Sequence, residues 1–329
     1  MTSRLNLDQH IEKIFSIKTD KEFEDLALQT FYFQYDTIPV YRNYADLIRK
    51  NQPQLLEEIP FLPIDFFKYH EIRSGKRAVE VIFKSSGTTQ QIRSAHFLEN
   101  KKVYELSFEK AYRQFVGNPE EQIIIALLPN YVEQQFSSLV YMVDHLIRIS
   151  KNDLSDFYLY DKQIIRDTYE TAVLQGKKVV LFGVTYALLD LAEEGVKLPG
   201  IKVIETGGMK GRRKEVSKSE LHAVLKDKLQ VETVFSEYGM CELLSQAYSE
   251  GTKFETPSWM KLLIRDKNDP FSYLEEGKSG GVNVVDLANL YSCSFIQTQD
   301  LGKKTEKYFE ILGRIDYSEL RGCNLMLNF

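Results

Sequence analysis

Five short stretches of this 329-residue chain carry side chains suited to gripping a phosphorylated ligand. Ser85-Ser86-Gly87-Thr88-Thr89 offers four hydroxyls, and its glycine lets a ligand come close to backbone N–H groups, an arrangement suited to phosphate oxygens. Glu205-Thr206-Gly207-Gly208 follows an apolar run; two successive glycines allow a flat ring or a phosphate to lie against the main chain. In Tyr238-Gly239-Met240-Cys241-Glu242, Tyr238 supplies an aromatic face, and Glu242 a hard oxygen ligand of the kind Mg²⁺ takes alongside phosphate oxygens and water. Asp300, in Gln297-Thr298-Gln299-Asp300-Leu301-Gly302, can accept two ribose hydroxyls. Glu310-Ile311-Leu312-Gly313-Arg314-Ile315-Asp316 sets an Arg and an Asp about one apolar residue. Each stretch taken singly also reads as an ordinary turn or a surface ion pair.

Three further residues have reactive side chains. Cys323 is a candidate acyl acceptor, since a thiolate is a capable nucleophile, and equally a small apolar residue in a terminal strand. Cys241 falls where a phosphate would sit. His96, soon after the Ser/Thr loop, is a candidate contact to a phosphate or a substrate carboxylate, and equally a satisfied structural histidine.

Positioning these groups takes a layered scaffold. Period-2 alternation in Val79–Phe83 predicts a strand leading into the Ser/Thr loop, and Ser94–Leu98 a strand returning from it. Continuous apolar runs at Gln122–Leu128, Lys178–Phe182 and Ile201–Glu205 read as strands buried on both faces. Helical patterns separate or follow them, at Leu106–Phe115, Tyr131–Ile147, Lys162–Gln175 and Thr185–Glu194. A capped helix is expected to start at Thr19-Asp20, and Ile38–Lys68 to form short helices and turns against the core. From Trp259 onward, short alternating segments suggest antiparallel pairing. The class is α/β, with mainly parallel layered sheets and a smaller, more antiparallel β subregion. Val184, Thr185 and Tyr186, after a buried strand, are candidates for the wall of a substrate pocket.

The net charge of −5 comes without a polybasic tract, so neither nucleic acid nor an anionic lipid surface is an expected partner. No stretch is apolar for the roughly 20 residues a membrane span needs, and the first residues lack the apolar core of a signal peptide. Cys241, Cys293 and Cys323 have no metal-ligand spacing and make no even disulfide set, so a reducing cytoplasm is expected.

Taken in order, the five stretches resemble the motifs of the acyl-adenylating superfamily: acyl-CoA synthetases, nonribosomal-peptide adenylation domains and firefly luciferase. Ser85–Thr89 resembles its phosphate loop, Glu205–Gly208 its adenine-side glycines, and Tyr238–Glu242 its Tyr-Gly-x-Thr-Glu motif. Asp300 resembles its ribose-binding Asp, Gly313–Asp316 its hinge, and Arg321-Gly322 the Arg-Gly that follows. The Phe61-Leu62-Pro63 segment and the wording Phe83-Lys84-Ser85-Ser86-Gly87-Thr88-Thr89 look most like the acyl-protein synthetases of bacterial bioluminescence operons (LuxE-like). The resemblance implies ATP-dependent activation of a carboxylic acid, in the LuxE-like branch a fatty acid, through an acyl-AMP. The acyl group then passes to a thiol on a protein, carrier or reductase. ATP and Mg²⁺ would be the cofactors. Ser85, Ser86, Gly87, Thr88, Thr89 and Cys241 would line the phosphates; Gly207, Gly208, Tyr238 and Gly239 the adenine; Asp300 and Arg314 the ribose; Glu242 would hold the metal. It further implies an adenylation domain over residues 1–312, a hinge and shortened tail over 313–329, and no C-terminal lid domain. Two positions depart from the superfamily pattern: Gln90-Gln91-Ile92-Arg93 replaces Gly-x-Pro-Lys, and Cys241 replaces Thr. A non-catalytic nucleotide- or acyl-binding protein on the same fold, and an acyltransferase using a pre-activated donor, are the alternatives.

Overall fold

The structure is a computed structural model and describes residues 5–86, 92–128, 136–158, 161–208 and 216–315. The chain begins with α1 (Leu7–Ile14) and α2 (Asp20–Thr37). The start of α2 is fixed by a capping box: Thr19 Oγ1 accepts from the Glu22 N–H, and the Glu22 carboxylate accepts from the Thr19 N–H. Such a cap contributes about 1 kcal/mol. Phe23, Leu26, Ala27, Thr30, Phe31 and Gln34 recur at helical spacing and form the buried face. After α3 (Pro39–Leu47) the expected irregular segment contains β1 (Leu62–Pro63) and the one-turn α4 (Phe66–Tyr69). Phe61, Leu62 and Phe67 are buried there.

The Ser/Thr loop sits on a separate hairpin, β2 (Val81–Lys84) and β3 (Ala95–Leu98), with Phe83 opposite His96 and Lys84 opposite Ala95. Helix α5 (Lys101–Phe115) follows. Then strands and helices alternate: β4 (Gln122–Leu127), α6 (Ser138–Ser150), β5 (Asp156–Phe157), α7 (Lys162–Leu174), β6 (Lys178–Val184), α8 (Thr185–Glu193), β7 (Lys202–Thr206), α9 (Lys218–Leu229) and β8 (Val234–Tyr238). Every residue of β4 is buried, as expected for a parallel strand covered on both faces. Helix α6 starts later than its apolar pattern suggested: Ser137 Oγ accepts from the Val140 N–H and sets the first turn at Ser138, while Tyr131–Gln135 lie outside the described residues.

The later strands are β9 (Ala247–Glu250), β10 (Lys253–Glu255), β11 (Met260–Arg265), β12 (Ser279–Asp286), β13 (Phe295–Lys304) and β14 (Phe309–Arg314). All but the hairpin join one 12-stranded sheet in the order β11-β12-β13-β14-β10-β9-β8-β7-β6-β4-β5, with β1 alongside β13. Pairing is parallel from β5 to β8 and antiparallel from β8 to β11. The α/β class stands, and its antiparallel subregion is an extension of the parallel sheet. Asp300, whose stretch also reads as a turn in the sequence, lies inside β13. A register shift between Leu301 and Gly302 disguises the strand in sequence, and a side chain at Gly302 would collide with the Glu310 carbonyl and Val282. Among the described residues, no helix is long and apolar enough to cross a membrane.

Candidate functional site

Tyr238, at the carboxyl end of β8, donates its hydroxyl to Asp300 Oδ2 at 2.8 Å. Its ring packs edge-on against Phe254 and Phe309, with centroids 6.0 and 5.6 Å away. Asp300 stands opposite Arg314 in the β13–β14 ladder, with Arg314 Nε 3.9 Å from Oδ1. Burial raises the Asp300 carboxyl above its usual range, opposed by the Tyr238 hydrogen bond and the Arg314 charge. A half-enclosed carboxylate of this kind suits a ligand that donates hydroxyls to it.

Glu242 is buried, and burial raises its carboxyl; a hydrogen bond from Ser94 and the charges of Lys68 and Arg314 oppose the shift. Its main chain is tightly braced. Asn289 Nδ2 donates to the Glu242 carbonyl at 2.8 Å. The N–H groups of Leu244 and Ser245 donate to Asp286 Oδ2 at 2.7 and 2.9 Å. Burial pushes Asp286 up to about 6 against those hydrogen bonds. Ser94 in turn closes the mouth of the β2–β3 loop: Ser85 N–H donates to the Ser94 carbonyl (3.1 Å), and Ser94 N–H donates to Ser85 Oγ (3.0 Å). The loop's first hydroxyl and Glu242 therefore share one residue. Ser86 is exposed beside it; Gly87, Thr88 and Thr89 lie outside the described residues, as does Cys323.

His96, considered from sequence as a ligand contact, has its Nε2 without a hydrogen-bond partner among the described residues. It is buried, and its Nδ1 donates to the Cys241 carbonyl at 2.8 Å. Burial lowers it to about 4, opposed by the Cys241 and Asn289 contacts. It is a neutral brace tying β3 to the turn before Glu242. Cys241 likewise offers no ready nucleophile: burial, and then the Glu242 charge, raise its thiol well above the ordinary range.

Gly207 and Gly208 follow β7, which lies against β8 with Glu205 opposite Ser236. Gly207 has φ +74, a backbone conformation that favours glycine. Among the described residues beyond its chain neighbours, none has an atom within 4 Å of where a Gly208 side chain would begin. A Cβ on Gly239 would collide with Glu237 Oε1, so a side chain there would have to displace that carboxylate. Beneath these turns lies a polar network whose roles the individual strands did not reveal. Glu205 accepts from Lys218, from Ser236 and from Thr185 Oγ1 (2.9 Å). Burial raises Glu205, but contacts from His222, Lys218 and Ser236 outweigh it and hold the carboxyl at about 2. Glu237 accepts from Thr206 Oγ1; burial, and less strongly the Glu205 charge, lift it to about 7. Thr185, considered for a pocket wall, is buried in this network, and Val184 and Tyr186 are buried beside it. A cavity of about 190 Å³ lies elsewhere, lined by residues that include Glu57, Leu263, Tyr273 and Lys304.

With this geometry in view, comparison with known proteins is decisive for the family. The model for "Acyl-protein synthetase, LuxE" matches residues 13–329. The chain belongs to that family. No curated protein sequence matches it. Among solved structures, ATP-bound MatB from Rhodopseudomonas palustris superposes with a TM-score of 0.55 at 19% identity, over 72% of this chain and 48% of that one. A 2-hydroxyisobutyryl-CoA ligase in an open conformation, in complex with 2-HIB-AMP and CoA, gives 0.63 at 11% identity, over 90% of this chain and 70% of that one. The same ligase in the postadenylation state gives 0.60 at 11%, over 96% and 73%. These likenesses establish the fold of adenylating enzymes for this LuxE-family chain, which spans about half the length of MatB.

Proposed function

We propose that this LuxE-family chain adenylates a carboxylic acid, a fatty acid by its family membership, and passes the acyl group to a thiol of a carrier, a reductase or the chain itself. The observations that support this most directly are the Tyr238–Asp300–Arg314 cluster and the Glu242–Ser94–Ser85 cluster, with the Arg314 charge acting on both carboxyls. Adenine would lie against Gly207, Gly208 and the Tyr238–Gly239 turn, with the ribose hydroxyls on Asp300. Ser85, Ser86 and the loop beyond them would receive the phosphates. The acid's carboxylate oxygen attacks the α-phosphorus, an O–P bond forms, the α–β anhydride bond breaks, and pyrophosphate leaves. A thiolate then attacks the acyl carbon and AMP leaves. The protein's share is positioning and charge balance, which carry most of phosphoryl-transfer catalysis.

No group of three or more metal-ligating side chains occurs among the described residues. Glu242 alone fits Mg²⁺, which commonly takes one or two carboxylates and completes its shell with phosphate oxygens and water. The metal would supply charge neutralisation at the phosphates. In this reading residues 1–312 form the adenylation unit and the hinge begins at Gly313, whose φ of +133 at the end of β14 favours glycine.

Pyrophosphate–ATP exchange across a panel of fatty and aryl acids tests the proposal. Exchange dependent on one acid class, reduced about a hundredfold or more in Glu242→Gln, is expected. Wild-type protein that binds ATP yet exchanges with no acid would replace it with the non-catalytic reading.

A further inference from the structure

The segment carrying Lys68 is bolted to the site from two sides. On one side, β1 runs parallel to β13, with Ile64 N–H donating to the Gln297 carbonyl at 3.0 Å. Asp65 Oδ2 accepts from Gln299 Nε2 at 2.6 Å, next to Asp300. On the other side, the Phe67 ring meets the His96 ring edge-on at 5.7 Å, and His96 holds the Cys241 carbonyl just before Glu242. Helix α4 therefore bridges the strand bearing Asp300 and the turn bearing Glu242. Lys68 extends from it, with Nζ 2.6 Å from Asp65 Oδ1 and its side chain 35% exposed. Among the described residues, Lys68 and Arg314 are cations whose charges act on Glu242. An ammonium has three N–H donors, and Asp65 engages one of them. A partly exposed cation, held by its neighbour on a helix packed against the turn that leads to Glu242, has the form of an anion-binding group.

We propose that Lys68 binds a phosphate oxygen of the nucleotide beside Glu242, while Arg314 serves the ribose side. This rests on the adenylation reading in one respect, that ATP is the ligand. The Asp65 bond sets the direction of the ammonium, and Lys68 supplies positive charge where Glu242 and the phosphates bring negative charge together.

The test is direct binding of ATP and of adenosine by calorimetry to wild type, Lys68→Met and Lys68→Arg, with thermal midpoints recorded for each. Lys68→Met is expected to weaken ATP binding roughly 10- to 100-fold, the worth of one hydrogen bond between charged groups. Adenosine, which has no phosphate, should bind all three proteins alike, and Lys68→Arg should recover most of the ATP affinity. Equal ATP affinity in wild type and Lys68→Met overturns the proposal and leaves adenylation standing. A parallel loss of adenosine binding also overturns it, since the residue would then be shaping the site as a whole. Should Lys68→Met fail to fold, the ATP-to-adenosine affinity ratio of Lys68→Gln decides on the same terms. Wild type that binds no ATP overturns both readings.

Discussion

Two carboxyls one strand apart, Glu205 and Glu237, are driven to opposite protonation states by their surroundings. Glu205 gathers Lys218, Ser236 and Thr185 and stays ionised. Glu237 faces Thr206 and the Glu205 charge, with Tyr104 of α5 and Tyr248 of β9 near enough to sense its own charge and Lys218 the opposing cation. It holds a proton up to about pH 7, against an ordinary value of 4.5. A carboxyl whose folded value is raised stabilises the fold fully below its unfolded value. That contribution disappears as pH rises through the folded one. Glu237→Gln keeps the group neutral throughout. Relative to the variant, the wild type is expected to lose on the order of 3 kcal/mol between about pH 5 and about pH 8.5. Urea unfolding of both proteins at the two pH values measures this. A wild type and variant that differ by a constant amount at both would show that Glu237 does not titrate on folding between those pH values. Tyr238→Phe is a separate expectation at the same scale. It removes the only hydroxyl given to Asp300 by the described residues, and should raise the KM for ATP several-fold, about 1 kcal/mol, in exchange kinetics.

At the scale of elements, the turn bearing Glu242 is held by segments far away in sequence. Gln34 of α2, fully buried, donates to the carbonyls of Asn289 and Leu290 and to Ser294 Oγ, and accepts from the Ser294 N–H at 3.0 Å. Asn289 then holds the Glu242 carbonyl. Gln34→Leu would strand several buried polar groups at once, and is expected to cost roughly 2–4 kcal/mol in equilibrium unfolding. Crosslinks of this kind explain what could and could not be read from the chain. The capped start of α2, the buried strands β4, β6 and β7, and the paired glycines were visible because their signals are local. So was the Tyr238–Glu242 stretch, whose spacing within one turn is its own signature. Asp300 was recognisable as a carboxylate but not as a strand residue, because a bulge imitates a turn. Lys68 was hidden among apolar neighbours: its relevance depends on β1 pairing with β13, and no local pattern encodes a pairing partner. The structural role of His96 depends similarly on the Cys241 carbonyl, which the chain brings back from far downstream.

At the scale of the molecule, β14 joins the β11–β13 strands to the rest of the sheet from within its antiparallel half. It lies between β13 and β10, and its bond to β10 is a single ladder pair, Phe254 opposite Phe309. The two rings stack with centroids 5.2 Å apart, and both pack against Tyr238. Phe309→Ala should cost about 3–4 kcal/mol, as expected for emptying a large buried aromatic site. It should also weaken ATP binding in protein that remains folded, because Tyr238 loses a wall of its seat. A thermal melt paired with a titration separates the two effects. A variant with a lowered midpoint and native affinity would show that the joint and the site are independent.

Residues 309–314 are the last of the described strands to be synthesised, yet they occupy an interior position of the sheet. On the ribosome, β4 to β8 can dock as a contiguous block, while Asp300 must wait for its neighbour Arg314 to emerge. A nascent chain stalled before Phe309 would display unpaired edges on β10 and β13 for chaperones to shield.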